Sequence, residues 1–309
     1  MKEIKSFNDY IGNDNTKALL KESINASKLR NEPLDHVFIA GCSGCGKSEL
    51  AMLIGKEMNV HVEKLMCSTI KNSPQILNTK ILKMKDNDIL FLDELHSLDS
   101  TTSESLYEYL ESGLVSIRYP DRMVRIPGKK ITIIAATTEL AMIPTPLYNR
   151  FPIQIRLSSY TIDELHQIIS MNMDAENISY SHDAISTIAK ASRSVPRNAL
   201  QFIRRIRDHI ISNQITFVDS QVVLTALALT GIDENGLDKT DRAMLHAMFY
   251  IFNASPVGLS NIANQIGEDE QVIKTMHEPI LMSNGYIEKT SRGRILTAEG
   301  IKIAMELDY

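Results

Sequence analysis

The stretch Gly41-Cys42-Ser43-Gly44-Cys45-Gly46-Lys47-Ser48 constrains this chain more than any other. It fits G-x-x-x-x-G-K-[ST], a loop whose backbone N–H groups cradle nucleotide phosphates. The flanks fit as well. His36-Val37-Phe38-Ile39-Ala40 reads as a short buried strand, and the run from Glu49 through Leu50-Ala51-Met52-Leu53-Ile54-Gly55 opens a helix of apolar period. Gly44 and Gly46 let the backbone turn its donors toward an anion at the helix N-terminus. Lys47 is then expected to reach the β- and γ-phosphates of a nucleotide and Ser48 to ligate Mg²⁺.

A nucleotide loop needs carboxylates at the end of a second strand, and the chain supplies them. Ile89-Leu90-Phe91-Leu92 is a continuous apolar run, as expected of a parallel strand buried on both faces, and it ends in Asp93-Glu94. Asp93 is expected to hold the Mg²⁺ and Glu94 to polarise the attacking water. His96 follows closely, but no partner for a metal role is apparent, so a structural role is expected. A third apolar strand, Ile131 to Ala136, ends at Thr137-Thr138. Before it, a helix over Thr102 to Ser112 stops at Gly113. Leu114–Tyr119 and Met123–Ile126 then flank Pro120-Asp121-Arg122, a hairpin signal. Strands alternating with helices give an α/β domain with a mainly parallel sheet.

Beyond residue 157 the pattern changes. Four helices are expected, over Asp163–Ala175, His182–Ser192, Arg197–Ile211 and Ser220–Leu227, the third carrying Arg204, Arg205 and Arg207. Gly231 to Gly236 reads as a linker. Leu237–Phe252, Leu259–Gln265 and Glu270–Ser283 then read as helices. Tyr286–Thr290 and Arg294–Thr297 flank Ser291-Arg292-Gly293 as a hairpin with a basic tip. Three helices and a wing make a helix-turn-helix variant, with Arg292 and Arg294 as the expected DNA contacts. The alternative for that module is docking to protein, since residues 237–309 hold 7 Lys and Arg against 10 Asp and Glu. The expected organisation is an α/β nucleotide-binding domain over 1–157, a helical domain over 158–232 and a winged helix over 233–309.

Composition bounds the partners. The formal net charge of −5 argues against a broadly basic coat, so any DNA contact must be local. No run approaches the ~18 apolar residues of a membrane span. Three cysteines, Cys42, Cys45 and Cys67, do not make a disulfide framework, and a reducing cytoplasm is the expected compartment. The C-x-x-C inside the loop lacks the second pair that a zinc site needs.

The ordered set of motifs resembles the AAA+ ATPases, and within them the RuvB family of Holliday-junction branch-migration motors. It runs nearly end to end: Leu34-Asp35-His36, the phosphate loop, Leu92-Asp93-Glu94-Leu95-His96, Ala136-Thr137-Thr138, and Pro146-Leu147-Tyr148-Asn149-Arg150-Phe151. Pro196-Arg197, Arg204-Arg205-Ile206-Arg207-Asp208, Pro256-Val257-Gly258-Leu259 and Arg292-Gly293-Arg294 complete it. The resemblance implies a P-loop core, a helical lid and a winged helix. It makes Thr138 the sensor-1 group, Arg150 an arginine finger acting on the neighbouring subunit's ATP, and Arg197 the sensor-2 arginine. It also places Tyr10, Ile11 and Pro196 near the adenine, and implies a hexameric ring around duplex DNA. In the family the hairpin at 114–126 meets the junction-binding partner RuvA. Here that hairpin is a few residues shorter and lacks a glycine-rich turn. Cys42, Ser43 and Cys45 stand where the family usually has two prolines and a leucine, Tyr148 stands for an arginine, and Ser194 for a glycine. Two function classes remain open: a translocating motor, or an ATP-regulated DNA-binding or clamp-loader-like factor that does not translocate. A superfamily-2 helicase is disfavoured, because the second half of the chain is helical where a second RecA-like domain is needed.

Overall fold

The computed structural model describes residues 2–118, 122–193 and 195–307. Tyr119, Pro120 and Asp121 of the expected hairpin turn, and Ser194, lie outside the described residues. The chain divides into two compact units, Lys2–Glu164 and the remainder from Leu165.

The first unit is built on a parallel sheet whose strands are β1 (Val37–Ala40), β2 (Val62–Met66), β3 (Ile89–Asp93), β6 (Thr132–Thr137) and β7 (Ile153–Arg156). Their order is β2-β3-β6-β1-β7. The central strands β1, β3 and β6 are wholly buried, which is why they read as nearly continuous apolar runs. Alternate side chains go to opposite faces. Val37, Ile39, Phe91 and Ile134 pack with Leu20 and Ile24 of α1 (Asp14–Arg30) and Leu50, Leu53 and Ile54 of α2 (Lys47–Met58). Phe38, Leu90, Leu92 and Ile133 pack instead with Leu77 and Ile81 of α3 (Pro74–Lys83) and Leu106 and Tyr109 of α4 (Ser100–Ser112). The result is three layers, with helices on both faces of the sheet. Asp99 caps α4 by accepting from the Thr101 and Thr102 amides, and Gly113 ends it in a left-handed conformation. The hairpin β4 (Leu114–Arg118) and β5 (Met123–Pro127) stands apart from the main sheet. The short helix α5 (Thr145–Tyr148) leads through Arg150 to β7.

The second unit holds two hydrophobic clusters. In one, α6 (Ile162–Ala175), α7 (His182–Ala191), α8 (Pro196–Ser212) and α9 (Ser220–Ala228) gather Ile169, Met173, Ile188, Ile203, Ile206 and Val223. The other is the winged-helix core, centred on Leu245, Met248, Ile262, Ile273 and Leu281. Its elements are α10 (Lys239–His246) running into a π-helical turn at Ala247–Ile251, α11 (Leu259–Ile266), α12 (Glu270–Val272), α13 (Glu278–Ser283), the wing β8 (Ile287–Thr290) and β9 (Gly293–Leu296), and α14 (Ala298–Glu306). The expected single helix over 270–283 is interrupted by a π turn at Ile273–His277. Pro279 has no N–H to donate into the turn before it, and a wider turn accommodates that loss. No helix among the described residues is long and apolar enough to cross a membrane.

Candidate active site

Sheet order places the chemistry. β6 lies between β1 and β3, with Ala40 opposite Thr137 and Leu92 opposite Ala135. The carboxyl ends of three adjacent strands therefore carry the phosphate loop, the Thr137-Thr138 pair and the Asp93-Glu94 pair side by side. The rim of an open α/β sheet is where such folds bind ligands.

In the loop, Gly44 and Gly46 sit at φ 76° and 95°, in the region that glycine enters without steric cost. Gly46 is also the N-cap of α2, and having no side chain it offers the first-turn N–H groups no capping acceptor. This suits an anion at Gly44, Cys45, Gly46, Lys47, Ser48 and Glu49. Lys47 is 6 % exposed, and its Nζ donates to the Gly41 and Cys42 carbonyls at 2.9 Å each. A buried ammonium in the mouth of the loop is the charge a polyphosphate requires. The loop's first and second residues, Gly41 and Cys42, thus orient Lys47, while Ser43 carries no positive-φ strain.

Ser48 Oγ donates to Asp93 Oδ2 at 3.3 Å. Two oxygen ligands this close, one of them a carboxylate, fit a hard cation such as Mg²⁺. The same Oδ2 is 2.7 Å from Lys64 Nζ, an ammonium on the neighbouring strand β2. Glu94 adopts a left-handed conformation, φ 54°, which is uncommon outside glycine and asparagine. Its Oε2 accepts from the Thr138 amide at 3.3 Å and from Thr138 Oγ1 at 3.0 Å. His96 Nδ1 lies 3.4 Å from the same oxygen and 3.0 Å from Thr137 Oγ1, a structural placement between the two strand ends.

Tyr10 is buried beneath the loop. A Cβ on Gly46 would lie 2.9 Å from its hydroxyl, so Gly46 is needed for this close approach as well as for its φ. Burial, reinforced by Tyr160, pushes the Tyr10 phenol far above its ordinary range. Tyr160 Oη donates to the Cys45 carbonyl at 3.3 Å and lies 3.4 Å from Tyr10 Oη, from which it accepts. Ile11 is half-buried next to Tyr10. Arg150 stands at the end of α5. Its Nη2 donates to Tyr107 Oη at 2.7 Å, its guanidinium lies over the Tyr107 ring, and its Nε makes a charge contact of 2.5 Å with Glu111 Oε2. Pro196 and Arg197 belong to the second unit, at the first turn of α8, with Pro196 buried and Arg197 exposed.

The two arginines of the wing differ in setting. Arg292 is exposed beside the tip. Arg294 is not available in the same way. Its Nε and Nη2 donate to Glu278 Oε1 and Oε2 at 3.1 and 2.8 Å, and the two side chains are 13 % and 6 % exposed. A bidentate, largely buried pair holds the guanidinium for the fold. Gly293, at φ 132°, likewise serves the interior: a Cβ there would fall 2.3 Å from the Val257 carbonyl oxygen. Val257 and Arg294 exchange two backbone hydrogen bonds of 2.8 Å across that contact.

Comparison with known proteins decides the family. Residues 3–157 match the Holliday junction DNA helicase RuvB P-loop domain, residues 160–233 the RuvB AAA lid domain, and residues 234–304 the RuvB C-terminal winged helix domain. The chain belongs to the RuvB family. The Holliday junction branch migration complex subunit RuvB of Thermosipho melanesiensis is 36 % identical over 307 residues, covering 96 % of this chain and 97 % of its own. That of Trichormus variabilis is 36 % identical over 302 residues, covering 96 % and 82 %. Among solved structures, a mutant of Thermotoga maritima RuvB superposes with a TM-score of 0.87 at 30 % identity, covering both chains fully. The structure titled as the Thermotoga maritima RuvB Holliday junction branch migration motor gives 0.84 at the same identity, covering 99 % of each. This is an AAA+ ATPase fold: a parallel P-loop core, a lid and a winged helix.

Within this RuvB-family chain, several site residues lie in no sequence motif. Tyr160 supports the loop from 115 residues away. Lys64 reaches Asp93 from an edge strand, and Tyr107 and Glu111 hold Arg150 from α4. No local spacing marks them. Their one sequence signal is position within an element, since Tyr107 and Glu111 are i, i+4 on one helix face.

Proposed function

We propose that this chain is an ATP-driven DNA translocase that migrates Holliday junctions, working as a hexameric ring on duplex DNA in recombination and repair. The observation that carries this reading is the alignment of Lys47, Asp93, Glu94 and Thr138 at three adjacent strand ends. It occurs in a chain whose remaining domains are those of branch-migration motors. Lys47 and the loop amides bind and orient the polyphosphate of ATP. Ser48 and Asp93 hold Mg²⁺, which when bound neutralises charge on the phosphate oxygens. Glu94 takes a proton from the attacking water. Its hydrogen bonds to Thr138 place the base next to the group that reports on the γ-phosphate. Arg150 serves the ATP of a neighbouring subunit, and Arg197 reports from the lid.

The wing contributes Arg292 as a phosphate contact. The β4–β5 hairpin is the proposed docking element for a RuvA-type junction-binding partner, acting from the cytoplasm. The test is branch migration of a synthetic four-way junction with ATP, with and without a RuvA protein. The expected result is ATP-dependent separation into duplex arms, absent in Lys47→Ala. ATP-modulated DNA binding without any strand separation, in the presence of RuvA, would overturn translocation in favour of a loader-like factor.

A further inference from the structure

The phosphate loop holds two thiols that ATP hydrolysis does not use. Cys42 is exposed and Cys45 is buried, and neither is in a disulfide. Each thiol shifts the other's protonation, which places the two near one another in the loop. Cys45 Sγ sits hard against Gly41, 2.8 Å from where a Cβ on that residue would be, so it lies beneath the residue preceding Cys42. Both thiols stand just ahead of the N-terminus of α2 and near the Lys47 ammonium, whose Nζ is held by the Cys42 carbonyl. An exposed first cysteine and a buried second one, at C-x-x-C spacing before a helix, divide the work of nucleophile and resolving thiol.

We propose that Cys42 and Cys45 form a thiol modification site at which a hydroperoxide closes an intraloop disulfide and switches nucleotide binding off. This rests on the loop being the nucleotide site. The Cys42 thiol is drawn down to about 6 by the hydrogen bond from Cys45, against partial burial and aided by Lys47. That direction favours the reactive thiolate. Cys45 is pushed well above the usual thiol range by the same hydrogen bond and by burial. Cys67 is fully buried and raised to about 12 by burial and by Asp93 and Glu94, so it stays inert.

The chemistry balances. The Cys42 thiolate attacks a peroxide oxygen, the O–O bond breaks, and hydroxide leaves with the electron pair and takes up a proton. Cys45 then attacks the sulfenic sulfur: the S–S bond forms, the S–O bond breaks, and water leaves with the Cys45 proton. Two thiols are oxidised and one peroxide is reduced to two waters. Closing the bridge moves Cys42 toward the interior. The Gly41 and Cys42 carbonyls that hold Lys47, and the amides from Gly44 to Ser48, then lose their common aim.

The experiment treats the full-length protein with hydrogen peroxide, with and without ATP. It reads intact mass, peptide mapping of the bridge, and the affinity of a fluorescent ATP analogue. Expected is loss of two hydrogens within the peptide containing both cysteines, at least ~10-fold weaker nucleotide binding, recovery with dithiothreitol, and slower oxidation with ATP bound. Each of Cys42→Ser and Cys45→Ser, compared with its own untreated sample, should lose the peroxide effect on binding, while Cys67→Ala should retain it. No intraloop bridge, a bridge that leaves nucleotide affinity unchanged, or oxidation that ATP does not slow would each overturn the proposal. Reduced protein that binds no nucleotide would refute the nucleotide reading instead, and the mass measurement would still judge the bridge.

Discussion

Glu94 shows how one residue can meet two demands that pull apart. Glu94, the proposed base, follows Asp93 at the end of β3 with a left-handed backbone at φ 54°. That conformation costs of order 1 kcal/mol or more in a residue with a side chain, and the two bonds from Thr138 help to hold it. Glu94→Gln keeps the shape and an acceptor oxygen but removes the base. ATP affinity should persist while steady-state hydrolysis falls by roughly 10²-fold or more. Near-normal turnover in that variant would remove Glu94 from the chemistry. His36 poses a different case at the same scale. Its ring lies at the start of β1, where Nδ1 accepts from the Ile133 amide at 3.0 Å, and burial draws its pKa from 6.5 down to about 4. A base whose folded pKa is depressed adds stability that is fully present above 6.5 and is lost as pH falls toward 4. By pH 5 the loss should be roughly 2 kcal/mol. Urea unfolding at pH 7 and pH 5 measures it. His36→Asn, which keeps an acceptor without the titration, should flatten the difference.

The winged helix shows why elements are harder to read than motifs. From sequence, Arg292 and Arg294 look equivalent, flanking a glycine at a basic tip. The fold separates them: one faces solvent, and the other closes β9 onto α13 through Glu278. Their substitutions should therefore differ in kind. Arg292→Ala should leave the melting temperature alone, weaken binding across all DNA sequences, and reduce the salt slope by about 1. Arg294→Ala strands a buried carboxylate and should destabilise the domain by roughly 3 kcal/mol or more, visible as a lowered melting temperature without DNA. Equal and purely DNA-linked effects would overturn the distinction. The same logic explains what else was legible. β1, β3 and β6 could be read because they are buried on both faces and are apolar apart from Thr132 until their functional ends. The edge strands β2 and β7 could not. Val62-Glu63-Lys64-Leu65-Met66 is only partly buried, and Ile153-Gln154-Ile155-Arg156 alternates in a run too short to stand out. The loop, the acidic pair and Thr138 were visible because each is local in the chain. Lys64, Tyr107, Glu111 and Tyr160 reach the site only through folding, and a sequence holds no local trace of such meetings.

At the scale of the whole molecule, the question is whether one chain holds a complete catalytic site. Lys47, Asp93, Glu94 and Thr138 converge within one unit of the fold. Arg150 instead is engaged by its own subunit's Glu111 and Tyr107. A guanidinium held by a carboxylate and an aromatic face is pre-oriented. Supplied to a neighbour, it would make hydrolysis depend on assembly, so that an isolated subunit idles and a closed ring turns over. Complementation tests this. Arg150→Ala alone should bind ATP and hydrolyse almost none. Lys47→Ala alone should fail to bind. In a mixture, some interfaces pair the intact loop of an Arg150→Ala subunit with the intact Arg150 of a Lys47→Ala subunit, and those sites are whole. Steady-state hydrolysis should therefore rise above the sum of the two mutants and pass through a maximum at an intermediate ratio. Mixed assembly must first be shown by size-exclusion chromatography with light scattering. Mixed rings without any recovery would place Arg150 in service of its own subunit's ATP, and the release from Glu111 and Tyr107 would then have to occur within a single chain.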